Sequence, residues 1–184
     1  MQRIIVTGAT SMIGVALIEE CIKHGTEVYA VVREGSEKRS RLPESSLIKF
    51  ADCSLEHLDR LPEMISQECD TFYHIAWGNT GENRNSSTEL QSRNIGYTLA
   101  AVKAAAALGC KRFIGAGSQA EYGLLDLDRI SPESAANPTT PYGAAKLASG
   151  YLARMLCREL GIECIWPRIF SVYGIYEKET IYYF

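Results

Sequence analysis

RIIVTGATSMIG, residues 3–14, begins as a β-branched run and ends in a glycine turn, and Ile13, Leu17, Ile18, Cys21 and Ile22 then recur at helical spacing. The reading is strand, turn, helix. Gly8 and Gly14 lie six residues apart across the turn. A glycine permits the backbone angles of such a turn, small residues let the main chain approach a phosphate, and the start of the helix presents oriented N–H groups with a favourable dipole. Gly8, Ser11, Met12, Ile13 and Gly14 are therefore the candidates for binding the pyrophosphate of a dinucleotide, with negative charge met by the dipole and not by a lysine.

The same alternation continues outward. Glu27 to Val32 reads as a second strand, and REGSEKRSRLPESS, as a surface loop or short helix, leads to a third near Leu47 to Phe50. Ser54 to Ile65 reads as a helix capped by Ser54, Asp70 to Ala76 as a buried strand, and Thr88 to Leu108 as an alanine-rich helix stopped by Gly109. Lys111 to Ala116 makes a fifth strand, Tyr142 to Leu160 a helix ended by Gly161, and Ile162 to Ile169 a sixth strand. Strands separated by helices imply crossovers and a parallel sheet covered on both faces, so the expected class is α/β, a doubly wound parallel sheet. Ligands of that architecture sit at the carboxyl ends of the strands.

Composition narrows the partners. The chain has 184 residues with a formal charge of −3 and no basic stripe, so nucleic acid is not expected as a partner. No segment approaches the roughly 20 apolar residues of a membrane span, and the start has no signal-peptide pattern; the expectation is a soluble, cytoplasmic protein without a membrane. The six cysteines are scattered singly, which points to reduced thiols and to no metal site.

Cofactor choice is read after the second strand, where an acid would bind a ribose 2′-OH and an arginine would accommodate a 2′-phosphate. Arg33 stands there, followed by Glu34, with Ser36, Lys38 and Arg39 close behind. This mainly cationic group favours NADP over NAD, while Glu34 keeps NAD open.

PYGAAK places Tyr142 and Lys146 four residues apart at the start of a helix, on one face, with Thr140 as candidate cap and Pro141 in the first turn. A nearby ammonium and an oxidised nicotinamide would stabilise a phenolate, so the pair could take a hydroxyl proton near neutral pH. RFIGAGSQAEYG brings Ser118 to the carboxyl end of the fifth strand.

Taken together, these segments resemble the extended short-chain dehydrogenase/reductase superfamily, the NAD-dependent epimerase/dehydratase family of sugar-nucleotide enzymes. Its T-G-x-x-G-x-x-G turn is matched at Thr7, Gly8 and Gly14, with Ser11 at the middle glycine; its S/T-x-x-x-Y-G segment by Ser118, Tyr122 and Gly123; and its Y-x-x-x-K by Tyr142 and Lys146. The resemblance implies a Rossmann fold and a Ser-Tyr-Lys mechanism. Ser118 would position a sugar oxygen and Tyr142 would transfer the proton. Lys146 would lower the tyrosine pKa and hold the nicotinamide ribose. It also places Asp52 at the adenine, Ala76 of HIAWGNTG beside the cofactor, and Asn94 at a family asparagine; Trp77, as a large aromatic residue, is read as packing. Departures are Glu121, at a position usually apolar, and Ser171, which replaces the asparagine of R-x-x-N-V-Y-G. Gln119 and Ala120 stand where a dehydratase has an Asp-Glu pair, which disfavours dehydration.

The implied function is an NAD(P)-dependent oxidoreductase or epimerase acting on a nucleotide-sugar. The alternatives are a non-catalytic dinucleotide-binding module and a reductase of a small non-sugar carbonyl compound. Family members commonly pair the helices at Thr88 to Leu108 and Tyr142 to Leu160, so a homodimer is expected, with close approach at Ala100, Ala101, Ala104, Ala105, Ala144, Ala145 and Ala148. Residues 1–174 are expected to form the dinucleotide-binding domain and 175–184 to begin a truncated substrate-binding region, with the C-terminal substrate domain missing and little activity from this chain alone.

Overall fold

The structure, a computed structural model, describes residues 2–176. In chain order the elements are β1 (Arg3–Thr7), α1 (Met12–Lys23), β2 (Glu27–Val32), β3 (Ile48–Asp52), α2 (Leu61–Met64), β4 (Thr71–His74), α3 (Thr88–Ala107), β5 (Arg112–Gly115), β6 (Gly117–Ser118), α4 (Pro141–Glu159), β7 (Glu163–Ile165) and β8 (Arg168–Ile169). Six strands form one parallel sheet in the order β3-β2-β1-β4-β5-β7. The expected doubly wound class holds. The order reverses between β1 and β4, where such sheets open a crevice.

Alternate residues of the strands feed two cores. Ile4, Val6, Val28, Ala30 and Val32 pack with Val15 and Ile18 of α1. Ile5, Tyr29, Val31, Phe72 and Phe113 pack on the opposite side with Ala101, Ala105, Ala153 and Cys157. Both faces being covered explains why the strands read as continuous apolar runs. Ala101, Ala104, Ala105 and Ala145 are buried within the domain. They lie in α3 and α4, and these small residues let the two helices pack on each other within the chain, so those four are not a surface for a second copy.

Three sequence expectations are corrected. Ser54 to Ile65 is not one helix but a 3-10 stretch (Leu55–Arg60), kinked at His57, followed by the single turn α2, and Ser54 makes no side-chain cap bond. Pro62 explains the break: it has no N–H and fits only a first helical turn, where α2 holds it. The third strand extends to Asp52 and does not stop at Phe50. Ile162 to Ile169 is not one strand either. Pro167 divides it into β7, in the main sheet, and β8, which pairs with β6 in a separate two-stranded sheet. The Trp166 ring enters a slot between Gly115, Gly117 and Gly150, where a Cβ on any of the three would come within 2.2–2.7 Å of the indole. The expected start of a substrate region at 175–184 lies, beyond Tyr176, outside the described residues.

No described helix is long and apolar enough to cross a membrane.

Candidate functional site

The turn after β1 is built backbone against backbone. Gly8 has φ +70°, and a Cβ there would lie 2.7 Å from the Ala76 nitrogen; a Cβ on Gly14 would lie 2.2 Å from the Gly8 carbonyl oxygen. Ser11 caps α1, its hydroxyl oxygen accepting from the Gly14 N–H at 3.1 Å. That bond engages one N-terminal donor. The Met12 and Ile13 N–H groups are left without intrahelical acceptors, and the Ser11 O–H proton is not used by the cap. A cleft of about 650 Å³ opens there, lined by Gly8, Ser11, Arg33, Ala76 and Trp77 among others. Free first-turn donors, a tight glycine turn and a cleft across the sheet's switch point fit a dinucleotide.

Beyond β2, Arg33, Ser36 and Lys38 line the cleft, as does Arg41, which the sequence reading missed. Arg41 donates to the Thr10 carbonyl at 3.2 Å, across the phosphate turn. Arg39 leaves the expected cationic group: it pairs with Asp52 and lies over the Phe50 ring, 5.1 Å from its centroid. The cause is local. Residues Glu37–Arg41 form a 3-10 helix, in which positions three apart eclipse, so Lys38 and Arg41 share a face and Arg39 does not. Of the loop and short-helix alternatives for this stretch the short helix is the one found, and its 3-10 period is what groups these residues. Asp52, half exposed and held by Arg39, is absent from the cleft lining.

On the other side of the switch point, Ser118, Tyr142 and Lys146 come together. Thr140 caps α4, accepting from the Gly143 N–H at 3.1 Å, and Pro141 occupies the first turn as expected. Burial pushes the Tyr142 phenol upward, the Ser118 side chain and the Arg84 guanidinium pull it back, and the Glu121 carboxylate pushes it up again. Arg84 stacks over the Tyr142 ring at 4.8 Å. It sits in the short 3-10 helix Glu82–Asn85 before α3, and nothing in the sequence pattern marks it.

Lys146 differs from expectation. Its ammonium donates to the Ala116 carbonyl at 2.6 Å and lies 3.7 Å from the centre of the Trp77 ring, against 5.8 Å for the Tyr142 ring. Burial lowers its pKa to about 7, with Glu121 acting in the opposite direction. The groups that favour the phenolate are therefore Ser118 and Arg84, where the sequence pointed to Lys146. His74, under the sheet's end, shares 2.9 Å with the Thr7 hydroxyl. Burial, with the Lys146 charge, lowers its pKa to about 3, so it stays neutral.

Glu121 is accounted for by its partners. Its side chain is 1% exposed and accepts from the Ser118 N–H (2.8 Å), the Trp166 indole N–H (3.0 Å) and Arg168 Nε (2.9 Å). An apolar residue there would leave Arg168 without its counter-charge. Tyr122, the neighbour of Glu121, carries the Arg168 guanidinium over its ring at 4.4 Å.

The sequence model of the NAD dependent epimerase/dehydratase family matches residues 4–182. The chain is 23% identical over 171 residues to a UDP-glucose 4-epimerase of Streptomyces lividans, covering 92% of this chain and 52% of that protein. It is 28% identical over 145 residues to the dTDP-6-deoxy-L-talose 4-dehydrogenase (NAD(+)) of Aggregatibacter actinomycetemcomitans, covering 79% of this chain and 52% of that one. A solved UDP-N-acetylglucosamine 4-epimerase from Methanobrevibacter ruminantium M1 shares the fold, with TM-score 0.82 at 20% identity over 99% of this chain and 59% of that structure. The chain spans about half the length of the curated relatives it matches.

Proposed function

The chain belongs to the NAD dependent epimerase/dehydratase family, and on that premise we propose that it oxidises and reduces a sugar carbon of a nucleotide-sugar, using Ser118, Tyr142 and Lys146 for the proton. The observation that carries this reading is the meeting of those three side chains beside the cleft that the phosphate turn opens. The epimerase and 4-dehydrogenase relatives bear names of nucleotide-sugar enzymes, which supports the substrate class.

A bound nicotinamide dinucleotide supplies the hydride acceptor and donor. The chain's own part is to orient and to handle the proton. Gly8, Ser11, Met12, Ile13 and Gly14 would hold the pyrophosphate, with Ala76 packed directly against Gly8 in the lining of the cleft. Ser118 donates its hydroxyl to the reacting sugar oxygen. Tyr142 Oη takes the sugar hydroxyl proton as the carbon loses hydride, and returns it when the keto group is reduced. Lys146 would hold the nicotinamide ribose, while Ser118 and Arg84 favour the phenolate. Asp52 serves at most the rim of the adenine site, since Arg39 holds it.

The cofactor preference proposed is NADP over NAD, set by Arg33 together with Lys38 and Arg41, because these cations line the cleft and Glu34 does not. Arg33→Ala is expected to weaken NADPH by about 1–3 kcal/mol, the scale of a lost charged hydrogen bond, and to leave NADH unchanged. Equal losses in paired fluorescence titrations would remove the 2′-phosphate role. The same reading includes a cytoplasmic homodimer, joined where Tyr151, Leu152 and Met155 of α4 are exposed.

The test of the function is to incubate the protein with UDP- and dTDP-sugars and either cofactor, following nicotinamide absorbance and the sugar's configuration. Interconversion or net oxidation of one of them is expected. Cofactor binding with no change in any sugar would favour a dinucleotide-binding module.

A further inference from the structure

Trp77 lies at the junction of the cleft and the proton-transfer group, and its position is fixed from behind. Its indole N–H donates to Gln91 Oε1 at 2.8 Å, and Gln91 is fully buried. Gln91 also donates to the Asn79 carbonyl at 2.8 Å. Asn94, 1% exposed, accepts from the Gly78 N–H at 2.7 Å and donates to the Gly78 carbonyl at 3.2 Å. Two buried side chains of α3 thus clamp residues 77–79, and Asn79 adopts φ +58° within that clamp.

The ring itself stays half-buried and lines the cleft. It covers the Lys146 ammonium at 3.7 Å and meets the Tyr142 ring edge-on at 5.9 Å. A dinucleotide whose pyrophosphate sits at the β1 turn extends to both sides of the switch point. One base lies toward β2 and β3, where Arg33 and Leu58 line the cleft, and the other toward β4 and β5. The reacting ring must be the one beside Tyr142, on the Trp77 side.

We infer that Trp77 is a binding residue for the nicotinamide half of the cofactor, a fixed aromatic wall that selects for the reacting ring and leaves the adenine half to other residues. This rests on the function proposed above, and it reverses the expectation that Trp77 is packing. An aromatic wall adds dispersion and quadrupole attraction to a planar heterocycle, more so to a cationic one.

Calorimetric titrations of wild type, Trp77→Phe and Trp77→Leu with NADH or NADPH, whichever binds tighter, and with the matching ADP-ribose or its 2′-phosphate, separate the possibilities. Leucine should weaken the whole cofactor about tenfold or more, roughly the effect of losing 1.4 kcal/mol, and change the ADP-ribose compound less than about twofold. Phenylalanine keeps a ring and should keep the cofactor within about threefold. As a second reading on folded protein, the whole cofactor should quench tryptophan emission more in wild type than in Trp77→Phe, where only Trp166 emits. Equal losses for cofactor and ADP-ribose would mean that Trp77 merely holds the fold, and unchanged or tighter cofactor binding in Trp77→Leu would mean that the ring makes no productive contact; either overturns the inference. Absence of cofactor binding by wild type would overturn the functional reading, and this inference with it.

Discussion

Tyr142→Phe is expected to lower hydride transfer by about 10²–10⁴-fold, the contribution of a positioned acid-base group, while cofactor affinity stays within a few-fold. The substitution removes one oxygen and keeps the ring. The edge-on contact with Trp77 at 5.9 Å and the Arg84 guanidinium at 4.8 Å both need only that ring. Ser118 and Lys146 also stay in place, so what is lost is the atom that carries the proton. Because Tyr142 is pushed upward by burial and drawn back mainly by Ser118, Ser118→Ala should move the alkaline-favoured rise of the wild-type rate to higher pH. Single-turnover rates with a nucleotide-sugar substrate provide the measurement. A Phe variant at full rate would remove Tyr142 from the chemistry.

Glu121→Gln is expected to destabilise the domain by about 3 kcal/mol, the lower end of what breaking a buried ion pair costs. The introduced amide keeps an acceptor oxygen for the Ser118 and Trp166 N–H groups, but its NH₂ then faces Arg168 Nε, donor against donor. Arg168, 14% exposed, can turn partly to water, which is why the lower end applies. Pairing it with Arg168→Gln should recover much of the loss, since two amides can bond each other. Urea midpoints at constant m give the comparison. A loss under about 1 kcal/mol for the single variant would show that the carboxylate contributes little there.

Glu121 also shows where sequence reading reached its limit. The β-α alternation was legible because apolar periodicity and a cap such as Thr140 are local signals, and the structure places Thr140 at the start of α4. The meeting of Ser118, Tyr142 and Lys146 was legible because their spacings sit at strand and helix ends. Partnerships between distant segments were not. Glu121 and Arg168 are far apart in the chain and give no period, so the glutamate read only as a departure. Arg84 reaches Tyr142 from a short 3-10 helix, and Arg41 rather than Arg39 faces the cleft because a 3-10 turn groups every third residue. The two-residue strands β6 and β8 are too short for any pattern.

The three-glycine slot around Trp166 has a consequence for how the protein is made. Its walls belong to β5, β6 and α4, and its filler to the stretch just after β7. During synthesis from the N-terminus at roughly 5–20 residues per second, the first five strands can associate seconds before the indole exists. Until then β5 is a bare edge, with unpaired amides along the side that β7 later covers and the Phe113 ring beside an empty groove. In that interval the nascent chain presents an unpaired edge, which closes when β7 pairs with β5 and the indole that follows fills the slot.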